Sequence, residues 1–134
     1  MSNLLRRSES DAEIAKLLLS DQGNPTNDEM IVDQAAYHAQ QAIEKALKYQ
    51  LEMTGKEYKK THNLVSLISD LENEGFPIDD ALKSMAFIIT GWESGSRYND
   101  DFSAVKTDIE AAINLYEELK HSILEDLEQK TNNV

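Results

Sequence analysis

Apolar positions recur every three or four residues along nearly the whole chain, and no sustained alternation of apolar and polar residues suggests a strand. The pattern predicts five helices. Ser10 with Glu13 has the form of a capping box, followed by Ile14, Leu17 and Leu18 on one face, which predicts a first helix from about Ser10 to Ser20. The segment DQGNPTN is a loop. Thr26 with Glu29 forms a second candidate capping box, opening a long helix from about Asn27 to Thr54 that stops at Gly55. A third helix spans about Asn63 to Asn73, with Leu64, Leu67, Ile68 and Leu71 inward, and ends at Gly75. Pro77 introduces a fourth, with Leu82, Met85, Ala86 and Ile89 on one side, which breaks between Gly91 and Gly95. The segment WESGSRYNDDF is irregular. The last helix, about Ser103 to Glu128, carries Val105, Ile109, Ala112, Tyr116, Leu119 and Ile123 in alternating steps of four and three, the spacing of a bundle seam.

Short connections between such elements predict an all-α, up-and-down bundle of about five helices. The 134 residues suffice for one domain with its own core, with residues 1–7 and 131–134 expected as flexible ends. The second helix is distinctive. Ala35, Ala39, Ala42 and Ala46 form a stripe of small residues suited to close helix approach, and among them stand His38 and an acid–base pair, Glu44 and Lys45. A polar group beside such a stripe is costly unless it has a partner.

Composition narrows the chemistry. There is no cysteine, so disulfides and thiolate metal sites are excluded. The three histidines, His38, His62 and His121, have no zinc-type spacing, so no metal or cofactor is implied. No apolar run approaches the roughly 20 residues of a membrane span, and MSNLLRR lacks the apolar stretch of a secretory signal. The expected location is the cytoplasm. A net charge of −12 works against coating duplex nucleic acid. That charge is uneven. From Asp100 onward nine acids face three lysines, while Lys45 to Lys60 is locally basic, which leaves room for one small anion or an RNA end at a focused site.

Several side chains have two readings each. Arg97 either grips a phosphate or carboxylate with its planar fork or pairs with a nearby acid and anchors an irregular loop. Tyr98 either flanks that site or covers the core edge. His38, Gln41 and Lys45 share one side of the second helix, as an anion-facing strip or as an amphipathic edge. His62, with Lys59, Lys60 and Thr61, forms either a phosphate cradle at a helix start or an ordinary capping turn. Trp92 reads as a core or interface anchor, and His121 as a solvated residue.

The blocks YHAQQAIEKALKYQL, Thr61-His62-Asn63-Leu64, and Trp92 followed by Ser96-Arg97-Tyr98-Asn99-Asp100, in this order, resemble the HEPN family (higher eukaryotes and prokaryotes nucleotide-binding domain). The resemblance implies a helical bundle that dimerises, and kinship with toxin–antitoxin-like modules in which a HEPN protein accompanies a minimal nucleotidyltransferase. It also implies comparison with metal-independent ribonucleases that carry an Arg-x4-6-His motif. Here Arg97 is followed by Tyr98, Asn99, Asp100, Asp101, Phe102, Ser103 and Ala104, with no histidine. Cleavage by 2′-hydroxyl attack needs a group that exchanges protons near neutrality, and two aspartates would repel the scissile phosphate. The resulting expectation is a non-catalytic binding module. It would form a homodimer, bind a nucleotidyltransferase-type partner, and offer a nucleotide or RNA end the candidate residues Arg97, His38, Lys45, Tyr98 and His62. Two alternatives stand beside it: a divergent ribonuclease using His38 or His62, and a purely structural interaction dimer.

Overall fold

A computed structural model describes residues 2–55, 57–94 and 103–132. Among them are five helices: α1 (Leu4–Leu19), α2 (Glu29–Met53), α3 (Leu64–Asn73), α4 (Asp80–Gly91) and α5 (Lys106–Asn132). No described helix is long and apolar enough to cross a membrane.

The central element is α2, which touches all four other helices. Its alanine stripe is fully enclosed, together with Ile43 and Leu47, and Ala12 and Ala15 of α1 lie buried as well. Small side chains in both helices let their backbones approach closely. Leu64, Leu67, Ile68 and Leu71 of α3, Leu82, Ala86 and Ile89 of α4, and Ile109, Ala112, Tyr116, Leu119 and Ile123 of α5 complete one continuous core. Trp92 caps it just past α4, almost wholly buried. Val105, the first residue of the expected α5 seam, is exposed because α5 begins only at Lys106.

Side-chain pairings give the directions of the helices. The pairs Asp11–His38 and Asp11–Lys45 join α1 to α2. Asp33 binds the Ala104 amide near the start of α2, and Gln50 binds Asp126 near its end, so α2 and α5 run in the same sense. The connector after α2 doubles back along it, bringing Tyr58 beside Lys48 and His62 beside Glu44. From there α3 runs out again and α4 returns against it, with Leu64 N–H donating to Thr90 Oγ1 (3.0 Å) at one end and Lys83 reaching Glu72 at the other.

Helix starts differ from the sequence pattern: α4 begins at Asp80, capped by Asp79, rather than at Pro77, and α5 at Lys106 rather than Ser103. α1 begins at Leu4 rather than near Ser10, so helix covers residues 4–7, and at the other end of the chain α5 reaches residues 131–132. The buried face of α1 is Ser8, Asp11, Ala12 and Ala15, whereas Ile14 and Leu17 are 37% and 52% exposed. The reason is tertiary. Only small residues fit against the alanines of α2, and Asp11 and Ser8 have distant partners that make their burial tolerable. α2 is capped by Asp28 rather than Thr26. The Asp28 carboxylate accepts the Met30 N–H (2.8 Å), after a turn in which Asn27 takes a positive φ of 54°. Asn24 fixes that turn from both sides, donating to the Asp28 carbonyl and accepting its amide. The α3 boundaries fall where the pattern put them. Asn63 caps the start, and at the end Gly75 (φ 87°) lets the Gly75 and Phe76 amides bind the Glu72 and Leu71 carbonyls.

Tyr116 of α5 is tied to Ser8 of α1 by a buried hydroxyl–hydroxyl hydrogen bond of 2.8 Å. Burial pushes its phenol up from 10.0 to about 12, with the Ser8 bond acting in the opposite direction. The unfolded chain would ionise this group first. Its contribution to stability is therefore complete below pH 10 and lost as pH rises toward 12. Tyr116→Phe is expected to cost about 1 kcal/mol in urea unfolding at neutral pH and to flatten the alkaline loss of stability.

Candidate functional site

The polar residues of α2 converge on two carboxylates. The first is Asp11 of α1. His38 Nδ1 lies 2.9 Å from its Oδ1, and Lys45 Nζ donates to its Oδ2 at 2.6 Å. His38 and Lys45, two turns apart on one face of α2, are thus brought together by an acid from the neighbouring helix. All three are largely shielded, with side-chain exposures of 25%, 25% and 11% for His38, Lys45 and Asp11. The His38 and Tyr37 rings stand nearly perpendicular, at a centroid distance of 5.3 Å.

The second carboxylate is Glu44, whose side chain is only 5% exposed. Its Oε1 accepts from Gln40 Nε2 (2.8 Å) and faces His62 Nδ1 (2.9 Å), while Oε2 accepts from Lys48 Nζ (3.0 Å). Gln41 extends the chain by donating to Gln40 Oε1 at 2.7 Å. His62 also lies 3.7 Å from Glu93 through Nε2, and Lys48 sits over the Tyr58 ring. Glu44 and Lys45 are not partners, because consecutive helical residues point in different directions. Each has instead found the opposite charge elsewhere.

The His62 turn is organised around Asn63, which accepts the Val65 amide, and Thr61 Oγ1, which accepts the Asn63 amide. Lys59 lies 3.9 Å from Asp70. His121 projects from α5, mostly exposed, and meets Glu125 at 2.9 Å. Among the described residues no three His, Asp or Glu side chains gather as a metal-binding set. Arg97 and Tyr98 lie outside the described residues.

Chemically, both histidines are built as imidazole–carboxylate pairs. A carboxylate holding the Nδ1–H orients the ring and leaves Nε2 as the basic nitrogen, the arrangement that general bases use and equally one that buried structural histidines use. The sequence pattern assigns no site role to Asp11 or Glu44. A signal for Asp11 exists in retrospect: Ser8, Asp11, Ala12 and Ala15 follow helical spacing and form a small, polar inner face on α1.

The model of the HEPN domain matches residues 1–127, nearly the whole chain. The chain belongs to the HEPN family. The bundle resembles the crystal structure of TT1696 from Thermus thermophilus, with a TM-score of 0.69 at 22% identity, covering 92% of this chain and 94% of that one. At that identity the likeness speaks for the HEPN bundle as a fold. No curated protein matches the sequence.

Proposed function

We propose that this HEPN protein is a non-catalytic binding module, paired with a second copy of itself and docked to a partner protein. The family resemblance suggests a nucleotidyltransferase-type partner in a toxin–antitoxin-like pair. The observation that supports this reading most is the commitment of the basic side chains on and beside α2. Lys45 and His38 face Asp11, and Lys48 and His62 face Glu44. A phosphate arriving here competes with buried carboxylates already in hydrogen-bonding contact, and each acid it displaced would be left as an unpaired buried charge. Arg97, with no histidine in the seven residues after it, is the remaining candidate for a nucleotide or RNA end.

A protein partner meets no such competition. The α3–α4 side carries an apolar face, with Phe87 83% exposed and Val65 and Ile88 about half exposed. Val65 stands beside the C-terminal half of α4, where Leu64 is bonded to Thr90. Large apolar side chains left in water are the material of interaction surfaces, and a two-fold dimer would cover them with the same face of a second copy. Size-exclusion chromatography with light scattering is expected to give twice the 15.1 kDa of one chain, and Phe87→Asp to give monomers of unchanged helicity. A wild-type monomer at high micromolar concentration would refute the dimer.

A further inference from the structure

Two arginines and three large apolar side chains lie exposed on the α1–α2 side of the bundle. Neither Arg6 nor Arg7 has an ion pair or a side-chain hydrogen bond among the described residues. Most lysines of the chain, by contrast, already lie beside a carboxylate. Ile14 and Leu17 of α1 are 37% and 52% exposed, and Met30 at the start of α2 is 77% exposed.

Spacing joins these residues into one face. Asp11, which meets His38 and Lys45, marks the seam between the two helices. Arg7 stands four residues before it and Ile14 three after it, so both share its side of α1, and Leu17 follows Ile14 by three. On α2, Met30 and Gln34 continue the His38 side in steps of four, and both are exposed. The short connection between α1 and α2 makes these helices antiparallel. Leu17 and Met30 therefore lie near the turn, and the arginines at the far end. The face is apolar at one end and basic at the other, about 17 Å from Arg6 to Leu17 at 1.5 Å per residue.

We propose that this face docks a helix of a partner protein, with the partner's apolar side over Ile14, Leu17 and Met30 and its aspartates or glutamates against Arg6 and Arg7. This rests on the reading of the chain as a docked binding module, and it names the surface and the partner's chemistry. The unpaired arginines decide the occupant, because their planar forks bind carboxylates in two parallel hydrogen bonds. At physiological salt exposed charges are screened beyond about 8 Å, so these two guanidinium groups outweigh the chain's net charge locally. A nucleic-acid strand would satisfy the arginines but leave the three apolar side chains bare and pass the Asp11 carboxylate at the seam. A second copy seated here by its α3–α4 face would join unlike surfaces and build rings or chains rather than a two-fold pair. The dimer face lies on α3 and α4, so either contact can fail while the other stands.

The test uses the full chain and a fluorescein-labelled peptide of about 15 leucine, alanine and glutamate residues, with the leucines at helical spacing, beside a permuted peptide of the same composition. The amphipathic peptide is expected to bind about tenfold more tightly than the permuted one. Amide chemical-shift changes should fall on residues 6–17 and 30–38. Arg6→Gln/Arg7→Gln should weaken binding about tenfold and Met30→Asp about fivefold, each with its urea midpoint kept, since all three side chains are exposed. Equal affinity for the permuted peptide, or binding indifferent to these variants, would overturn the inference. Shifts centred on α3 and α4 would overturn it while leaving the docked-module reading intact. A single-stranded RNA 15-mer that displaces the peptide from the same residues at lower concentration would make this a nucleic-acid face instead. A wild-type dimer that Arg6→Gln/Arg7→Gln turns into monomers would make it the self-contact, and would overturn the inference as well.

Discussion

Glu44→Ala is expected to destabilise the protein by about 3–5 kcal/mol, among the largest effects of any single polar substitution in the chain. Glu44 is the hub of the buried network, holding Gln40, His62 and Lys48 at 2.8, 2.9 and 3.0 Å. Removing it leaves the Lys48 ammonium and the wholly buried Gln40 amide without their acceptor in the middle of α2, in contact with the core, while the more exposed His62 imidazole keeps Glu93 nearby. Breaking one partner of a buried pair costs far more than the pair itself contributes, because the remaining charge cannot be resolvated. Glu44→Gln keeps an acceptor oxygen and loses the charge, so its cost should fall between wild type and Glu44→Ala. Urea unfolding followed by circular dichroism measures all three. A shift of the midpoint at constant slope identifies lost native stability rather than a changed unfolded state. An Ala variant within about 1 kcal/mol of wild type would show that the network contributes no net stabilisation.

Asp11→Asn should cost less, about 2–3 kcal/mol, because Asp11, His38 and Lys45 retain some contact with water. Its second effect is the more informative one. The substitution removes the charge that occupies Lys45 and His38 while leaving both in place on one face of α2. The variant is therefore expected to take up a trinucleotide or inorganic phosphate, detectable by calorimetry, where wild type at the same concentration takes up less. Equal uptake by both proteins would mean that Asp11 does not mask Lys45 and His38.

Much of this fold is written locally. The alanine stripe of α2, the caps of α3 and the Gly55 and Gly75 stops are decided within a few residues, and the pattern reads them directly. The start of α1 is different. Ser10 and Glu13 satisfy the rule for a capping box, yet helix already runs through them, because Leu4 and Leu5 pack on the core and Ser8 and Asp11 are drawn inward by Tyr116, His38 and Lys45. Those partners lie 27 to 108 residues away in sequence, beyond the reach of any local rule. The site follows the same division. That His38 and Lys45 share a face of α2 is readable from their spacing. That both face Asp11, and that His62 faces Glu44 beneath it, depends on how α1 and the connector after α2 dock against that helix. Arg97 and Tyr98 are singled out by resemblance and lie outside the described residues.

The imidazole–carboxylate pairs make the distinction between binding and catalysis a matter for direct assay. The measurement is the fate of a mixed RNA pool incubated without metal with highly purified wild-type protein, beside His38→Ala and His62→Ala. The pool is expected to remain intact in all three. Cleavage by wild type that is lost in either variant would contradict that expectation, and would make the corresponding histidine–carboxylate pair a catalytic base.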